Sequence, residues 1–330
     1  MSDLDRRDFV KAAAAVGLTA ALNDFGWSMA KAAEEAGPMP MRALGRTGLK
    51  VGILGLGGFH ATLHEKEEDS ISLMHRAIDL GINFFDNADC YHVGAAEERM
   101  GKAIQGRRDK IVLMTKVDDL DAKGAMETLD ISLKSLGTDY LDVWQFHGVF
   151  RVDQLEKILA PGGGIEAVEK AKKAGKIRFA GLTGHLGALT QQEAIRRYPF
   201  DTIQPALNCV DPHFENFRHI AIDEAAKRNV GVIAMKTMAF GNIFKQKVAS
   251  VEEALRWVWS QPISTAVSGC EKMEFLDHNA YLAKTFKPMT EQEQATLLAR
   301  TEPFKGAKVE TYKTWTTNEN KRRPRPASGL

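Results

Sequence analysis

Four side chains able to move protons stand at or just past the ends of three successive short apolar runs. Within Gly81–Gly94 (GINFFDNADCYHVG), the run Ile82–Phe85 ends on Asp86, and the loop after it offers Tyr91. IVLMTK ends on Lys116, and LDVWQFH ends on His147. A free phenol titrates near ~10 and alone is a reluctant proton donor or acceptor at neutral pH. A neighbouring ammonium favours the phenolate and is expected to lower that value. A carboxylate such as Asp86 keeps the ammonium charged and aimed, and His147 can donate a hydrogen bond to a substrate oxygen. Together they make a proton donor and a polariser for a carbonyl becoming an alkoxide, or the reverse for an alcohol. None of the four can give or take a hydride, so a redox reading requires a cofactor. Taken singly, each residue has a plain structural role to play, whether ion pair, loop packing or core histidine. Three ionisable strand ends in a row favour the catalytic reading.

These residues need a scaffold that aligns successive strand ends. Met41–Ile53 reads as a hairpin around Gly45-Arg46-Thr47-Gly48. Eight strand-like runs follow: Leu54–Gly58, Asn83–Ala88, Ile111–Lys116, Leu141–His147, Lys176–Thr183, Thr202–Leu207, Gly231–Lys236 and Thr265–Gly269. Amphipathic segments of helical period separate them, at 70–80, 95–105, 122–136, 164–174, 188–197, 217–228, 251–260 and 272–283. Gly81, Gly106, Gly137 and Gly175 stand where helices stop. This alternation predicts an α/β fold, a (β/α)8 TIM barrel with an N-terminal β-hairpin, whose chemistry sits at the C-terminal strand ends. Gly55-Leu56-Gly57-Gly58 is read as tight backbone near a ligand that opens no helix, which argues against a doubly wound nucleotide fold. Thr290-Glu291-Gln292-Glu293 predicts a capping box and an extra C-terminal helix.

The 330 residues are 44% hydrophobic and 26% charged, with a formal net charge of +1. That balance argues against a nucleic-acid surface, and no apolar run is long enough for a membrane span. Cys90, Cys209 and Cys270 form no disulfide framework and no C-x-x-C pair. His60, His92, His147, His185 and His213 are expected near one face, but no H-x-H or H-E-x-x-H spacing supports a metal, and none is expected. The N-terminus differs. Arg6-Arg7, Phe9 and Lys11, an alanine-rich run from Ala12 to Leu22, and Ala30-Lys31-Ala32 closely resemble a twin-arginine (Tat) signal peptide with its cleavage site. The resemblance implies export through the Tat machinery to the periplasm; a cytoplasmic protein with an amphipathic N-terminal helix is the alternative. The expected division is a signal at 1–32, a barrel at 41–304 and a tail at 305–330, whose basic end Lys321–Pro326 is read as solvated.

From about Met41 to Asn279 the chain resembles the aldo-keto reductase superfamily, through LGRTGLKV, FFDNADCYHVGAAEERMGKAI, MTK, FH and GKIRFAGLTGH. The resemblance implies an NADP- or NAD-dependent oxidoreductase acting on a small carbonyl or alcohol. It makes Tyr91 the general acid/base, Lys116 and Asp86 its tuners, and His147 the carbonyl-orienting group, with Asp86 also near the nicotinamide ribose. It further implies cofactor contacts at Gly58, Thr183, Gly184, Gln204, Lys236, Gly241, Asn242, Ser268, Gly269 and Asn279. The chain departs from the family at several points. Met235 stands where an aromatic often stacks on nicotinamide, and Gly184 where Asn is common. Gly269, Cys270 and Phe275 stand where Lys, Ser and Arg often bind a 2′-phosphate, with Glu271 beside them and Lys272 the one substitute cation. The competing readings are a Schiff-base lyase using Lys116 or Lys236, and a nucleotide-binding sensor or partner subunit without turnover. The loop Gly148–Gly163 and the chain beyond Thr301 are expected to shape the substrate pocket.

Overall fold

A computed structural model describes residues 28–314. The Arg6-Arg7 pair, Phe9, Lys11, the alanine-rich run and Lys321–Pro326 lie outside the described residues. A hairpin, β1 (Met41–Ala43) and β2 (Lys50–Gly52), precedes eight strands: β3 (Leu54–Gly57), β4 (Phe84–Asp86), β5 (Val112–Val117), β6 (Leu141–Phe146), β7 (Ile177–Gly184), β8 (Thr202–Pro205), β9 (Gly231–Ala234) and β10 (Thr265–Ser268). The eight are all parallel and close on themselves in the order β10-β3-β4-β5-β6-β7-β8-β9. The expected (β/α)8 barrel and its hairpin are present.

The period-2 pattern of each strand sorts its side chains into two cores. Leu44 and Val51 of the hairpin plug the bottom of the barrel below Phe84, Val112, Met114, Val143, Ile233 and Val267. Between these, Phe85, Leu113, Trp144 and Phe146 point outward into the layer beneath the helices. The inward series therefore climbs from apolar to polar: Phe84 to Asp86, Met114 to Lys116, Val143 through Gln145 to His147. Apolar filling stops one residue short of the C-terminal face, which leaves that face to charged groups.

Helix ends follow their local chemistry. Thr290 caps Glu291–Thr301 by accepting from the Glu293 N–H, and the Glu293 carboxylate returns to the Thr290 N–H at 2.7 Å. The four glycines expected to stop helices all take positive φ, from 59° at Gly137 to 87° at Gly81. The segment expected as one helix at 217–228 instead begins with a wide π turn, Arg218–Ile222, before Asp223–Lys227. There the Asp211 carboxylate accepts from the Phe217 and Arg218 N–H groups. Two further readings are corrected. Gly58 does open a helix, the single turn Gly58–Ala61. A Cβ at Gly58 would sit 2.7 Å from the Asp86 carbonyl oxygen, so the glycine serves packing within the barrel. The loop Gly148–Gly163 contains a helix, Val152–Leu159, entered through Gln154, whose amide oxygen accepts from the Phe150 and Arg151 N–H groups.

Residues 28–35 are helical and dock on the barrel's flank. Ala33 is fully buried, Arg76 donates to the Ala30 carbonyl and pairs with Glu34, and Lys284 donates to the Ala33 carbonyl. Ala30-Lys31-Ala32 thus lies within a packed helix. At the other end, the first residues assigned to the tail pack onto the barrel top: Val309 and Tyr312 are fully buried. Lys313 is buried between Asp211 at 2.7 Å and Glu310 at 3.0 Å. Among the described residues no helix is long and apolar enough to cross a membrane.

Burial holds both Asp211 and Glu310 above the usual carboxylate range, and Lys313 opposes that shift. Replacing Lys313 by Met leaves two buried carboxylates without a counter-charge, and urea unfolding at neutral pH should show a loss of about 3–5 kcal/mol. Raised carboxyl values mean the folded state takes up protons, so the penalty should shrink as pH falls toward the ordinary carboxylate range. An equal penalty at neutral and mildly acidic pH would contradict this account.

Candidate active site

Asp86 ends β4, Lys116 lies one residue from the end of β5, and His147 follows β6 directly. The closed barrel therefore puts them side by side at one rim. The Lys116 ammonium is enclosed by three acceptors: the Asp86 carboxylate, the Asn87 carbonyl at 2.8 Å and the Tyr91 hydroxyl at 3.1 Å. The second oxygen of Asp86 accepts from Gln204 Nε2 at 2.8 Å. Tyr91 reaches this group on a short 3-10 turn, Tyr91–Gly94, in which His92 and the β-branched Val93 both hold positive φ. Such conformations persist only where surrounding structure enforces them. The Tyr91 and His147 rings meet edge to face with centroids 5.9 Å apart. All four expected catalytic side chains are thus brought together.

Electrostatics assign their protonation states. Burial opposes the Lys116 charge, but Asp86 and Tyr91 outweigh it, and the lysine's pKa is raised. For Tyr91 burial is the largest influence, and it pushes the phenol up more than Lys116 pulls it down. This corrects the expectation of a lowered tyrosine value: the pull exists but desolvation exceeds it. Tyr91 keeps its proton at neutral pH. Lys236 goes the other way, pushed down to about 8 by burial and then by Lys116, with Asp86 offsetting part. His185 is held well below the ordinary histidine range by burial and the neighbouring Lys236.

Beside this group opens a cleft of about 410 Å³. Of the residues expected to hold a cofactor, Asp86, Lys236, Gly241, Ser268, Gly269 and Asn279 line it. The rest do not. Gly58 lies under the Asp86 backbone, and Gly184 backs onto the Val149 carbonyl. Thr183 Oγ1 lies 3.9 Å from the Met235 sulfur. Asn242 donates its side chain to the Val309 carbonyl at 2.9 Å, so it holds the C-terminal segment. Gln204 sits one layer in, and its Oε1 is buried with no hydrogen-bond partner among the described residues. Asn279 donates to Ser268 Oγ at 3.1 Å, and His60 faces Glu271 at 3.8 Å. Lys236, Ala239 and Phe240 all hold positive φ, and the Lys236 ammonium lies 4.1 Å from the Phe240 ring centre.

Sequence reasoning missed three contributors. Asn87 holds Lys116 through its carbonyl, a role any residue type could fill and no side-chain pattern announces. Lys245 lines the cleft from the short helix Asn242–Lys245, whose position depended on the preceding turn. Asp118, two residues past Lys116, lies 3.1 Å from His147 Nδ1; the strand-end logic that found Lys116 applies to it equally. Among the described residues no two of the five histidines share a metal-holding group: His60 and His92 both pack on Phe59, His213 meets Thr301, and His185 stacks on Phe150.

An uncharacterized oxidoreductase of Bacillus subtilis (strain 168) is 27% identical over 307 residues, spanning 80% of this chain and 97% of that protein. L-galactose dehydrogenase of Arabidopsis thaliana is 30% identical over 230 residues, 62% of this chain and 67% of that one. The solved holo form of an aldo-keto reductase from Bacillus halodurans shares the fold, with a TM-score of 0.70 at 24% identity over 79% of this chain and 96% of that one. The sequence pattern of the aldo/keto reductase family matches residues 53–252, a stretch that runs from β3 across the whole Asp86–Tyr91–Lys116–His147 rim to the helix after β9. The chain is an oxidoreductase-type barrel and belongs to the aldo/keto reductase family.

Proposed function

We propose that this protein reduces an aldehyde or ketone, or oxidises the corresponding alcohol, by hydride transfer with NADP or NAD. The observation that carries the reading is the hydrogen-bonded chain Asp86–Lys116–Tyr91 at the mouth of the cleft. A protonated Tyr91 gives its proton to the carbonyl oxygen, and the charged Lys116 at 3.1 Å stabilises the phenolate that remains. His147 orients that oxygen. Asp86 keeps Lys116 charged throughout, since Gln204 and Lys116 hold one carboxylate oxygen each. A bound nicotinamide supplies or accepts the hydride.

The residues present fit such a cofactor. Lys236 and Lys245 offer two ammonium groups to a pyrophosphate, Ser268 and Asn279 offer hydroxyl and amide to the adenosine side, and the partnerless Gln204 Oε1 suits a carboxamide donor. Glu271 beside Gly269 and Cys270 works against a 2′-phosphate, so the choice between NADP and NAD rests on how far Lys272 compensates. The arginine-pair signal adds that the protein is exported folded, with its nucleotide already bound. Mass analysis of nucleotide released from periplasmic protein tests both points at once, and an empty protein that binds neither dinucleotide would overturn them.

A second reading draws on Lys236 alone: an amine pushed down to about 8 is partly uncharged near neutrality and able to form a Schiff base. Borohydride trapping with a carbonyl substrate should leave no adduct on a reductase and a stable one on Lys236 of a lyase.

Tyr91→Phe removes the transferred proton and little packing. Its kcat should fall about 10²–10⁴-fold with nucleotide affinity and melting temperature unchanged. Lys116→Met should behave differently, losing activity and also about 3–5 kcal/mol of stability, because Asp86 is then buried without its counter-ion. If the two variants cost the same stability, the buried pair does not carry the rim.

Nucleotide affinity should also follow the Lys236 proton. Phosphate favours the ammonium, so binding should be flat with pH below about 8 and weaken above it, as the free protein's Lys236 deprotonates. Calorimetric titration should show proton uptake on binding in that upper window, and Lys236→Met should lose both the uptake and the slope.

A further inference from the structure

Three side chains from successive βα loops converge behind the His147 ring: Cys90 after β4, Asp118 after β5 and His147 after β6. His147 Nδ1 lies 3.1 Å from Asp118 Oδ1 and 3.6 Å from Cys90 Sγ. The three ligand atoms all lie within 4.8 Å of one another. Their side chains are at most 8% exposed. A tetrahedral zinc ion, with bonds of roughly 2.3 Å to sulfur and 2.0–2.2 Å to nitrogen and oxygen, separates its S and N ligands by about 3.6 Å and its N and O ligands by about 3.3 Å. The observed 3.6 and 3.1 Å are close to two edges of such a tetrahedron.

A proton on Nδ1 serves Asp118 as an ordinary hydrogen bond at 3.1 Å, with Cys90 Sγ beside it at 3.6 Å. Nδ1 either carries a hydrogen for Asp118 or presents a lone pair to the Cys90 thiol, and it serves one neighbour at a time. With the lone pair out, nitrogen and carboxylate face each other at 3.1 Å as two acceptors. A cation meets all three groups together. A second observation points the same way. Asp89 is 9% exposed, its Oδ1 is buried with no hydrogen-bond partner among the described residues, and its strongest charged neighbour is Asp118. Asp89 is therefore a buried carboxylate in the same acidic region, outside the mutually adjacent three.

We propose that Cys90, Asp118 and His147 form a binding site for a zinc-type divalent cation whose fourth position is left to water. The mixed thiolate, imidazole and carboxylate set suits a borderline transition metal, whereas magnesium and calcium take oxygen ligands. On binding, the Cys90 S–H bond breaks, a metal–sulfur bond forms and the proton leaves to solvent. The ion occupies Nδ1, so the remaining hydrogen of the imidazole stays on Nε2. An occupied site would thus hold His147 as a hydrogen-bond donor on its free side. The ligands come from three separate loops, and for that reason no linear spacing announces them.

The test uses the full chain, freed of metal with a chelator and titrated with cobalt(II), a coloured probe for zinc sites. One equivalent should bind with a near-ultraviolet thiolate-to-cobalt absorption, and zinc should abolish that band by displacement. Cys90→Ala should lose the band, and Asp118→Asn should weaken binding by more than about 100-fold. Cys209→Ala, at a buried cysteine in the loop after β8 and outside the three-ligand group, should retain both, and the melting temperature of each variant checks folding. No saturable uptake, or a band that survives Cys90→Ala, would overturn the site. The readout needs no turnover, so its failure leaves the reductase reading untouched.

Discussion

The buried Asp86–Lys116 pair is the constraint around which the rim of this barrel is arranged. Removing two charges from water costs several kcal/mol each, and the cost is met only when geometry and extra hydrogen bonds complete the pair. Here both carboxylate oxygens are used, one by Lys116 and one by Gln204, and the ammonium adds the Asn87 carbonyl and the Tyr91 hydroxyl. Satisfying the pair therefore ties β4, β5 and β8 together and fixes where Tyr91 must stand. The geometry of the candidate site and local stability become one requirement.

The same pair sets its neighbours' charges. Lys116 has a carboxylate and keeps its proton. Lys236, in the same cleft, faces that ammonium and loses hold of its own. Two lysines with opposite shifts leave the cleft short of negative charge, which is the condition a pyrophosphate relieves. The turn that carries Lys236 is strained at Lys236, Ala239 and Phe240, and other segments hold it in place. Residues 308–312 do so: the Val309 carbonyl accepts from Asn242, the Lys308 carbonyl from Gln246, and Tyr312 packs edge-on against Phe240.

The barrel was legible because its information is local and periodic. The eight strands start within one residue of their expected places, and helices such as Ala122–Leu136 and Ala188–Arg197 match in full. The convergence of the candidate rim was legible for the same reason, since an inward series that ends polar can be read along one strand. What escaped depends on neighbours distant in sequence. The Tyr91 shift follows from burial by the whole rim, and Gly58 serves the Asp86 backbone. The Asn242 amide is taken by a segment over sixty residues away. The β9 strand also stops at Ala234, two residues early, because the chain turns aside at Lys236 with φ of 57°.

The rim is electrically divided, and the division explains why two different kinds of ligand suit one small region. On the β8–β10 side stand Lys236 and Lys245 with few carboxylates to answer them. On the β4–β6 side stand Asp89, Glu97, Asp118 and Asp119, all at least nine-tenths buried at the side chain or residue level. Glu97 and Asp119 are partly settled by the Thr115 and Thr128 hydroxyls, at 2.7 and 2.8 Å. Asp118 lies 3.1 Å from His147 Nδ1, and Asp89 Oδ1 has no hydrogen-bond partner among the described residues. Tyr91 and His147 occupy the boundary. An anionic nucleotide lowers the electrostatic cost of the first side, and a cation lowers that of the second. Among the described residues the Tyr91 hydroxyl takes its hydrogen bond from Lys116 at 3.1 Å, so after burial the Asp86–Lys116 pair acts most strongly on the phenol between the two sides.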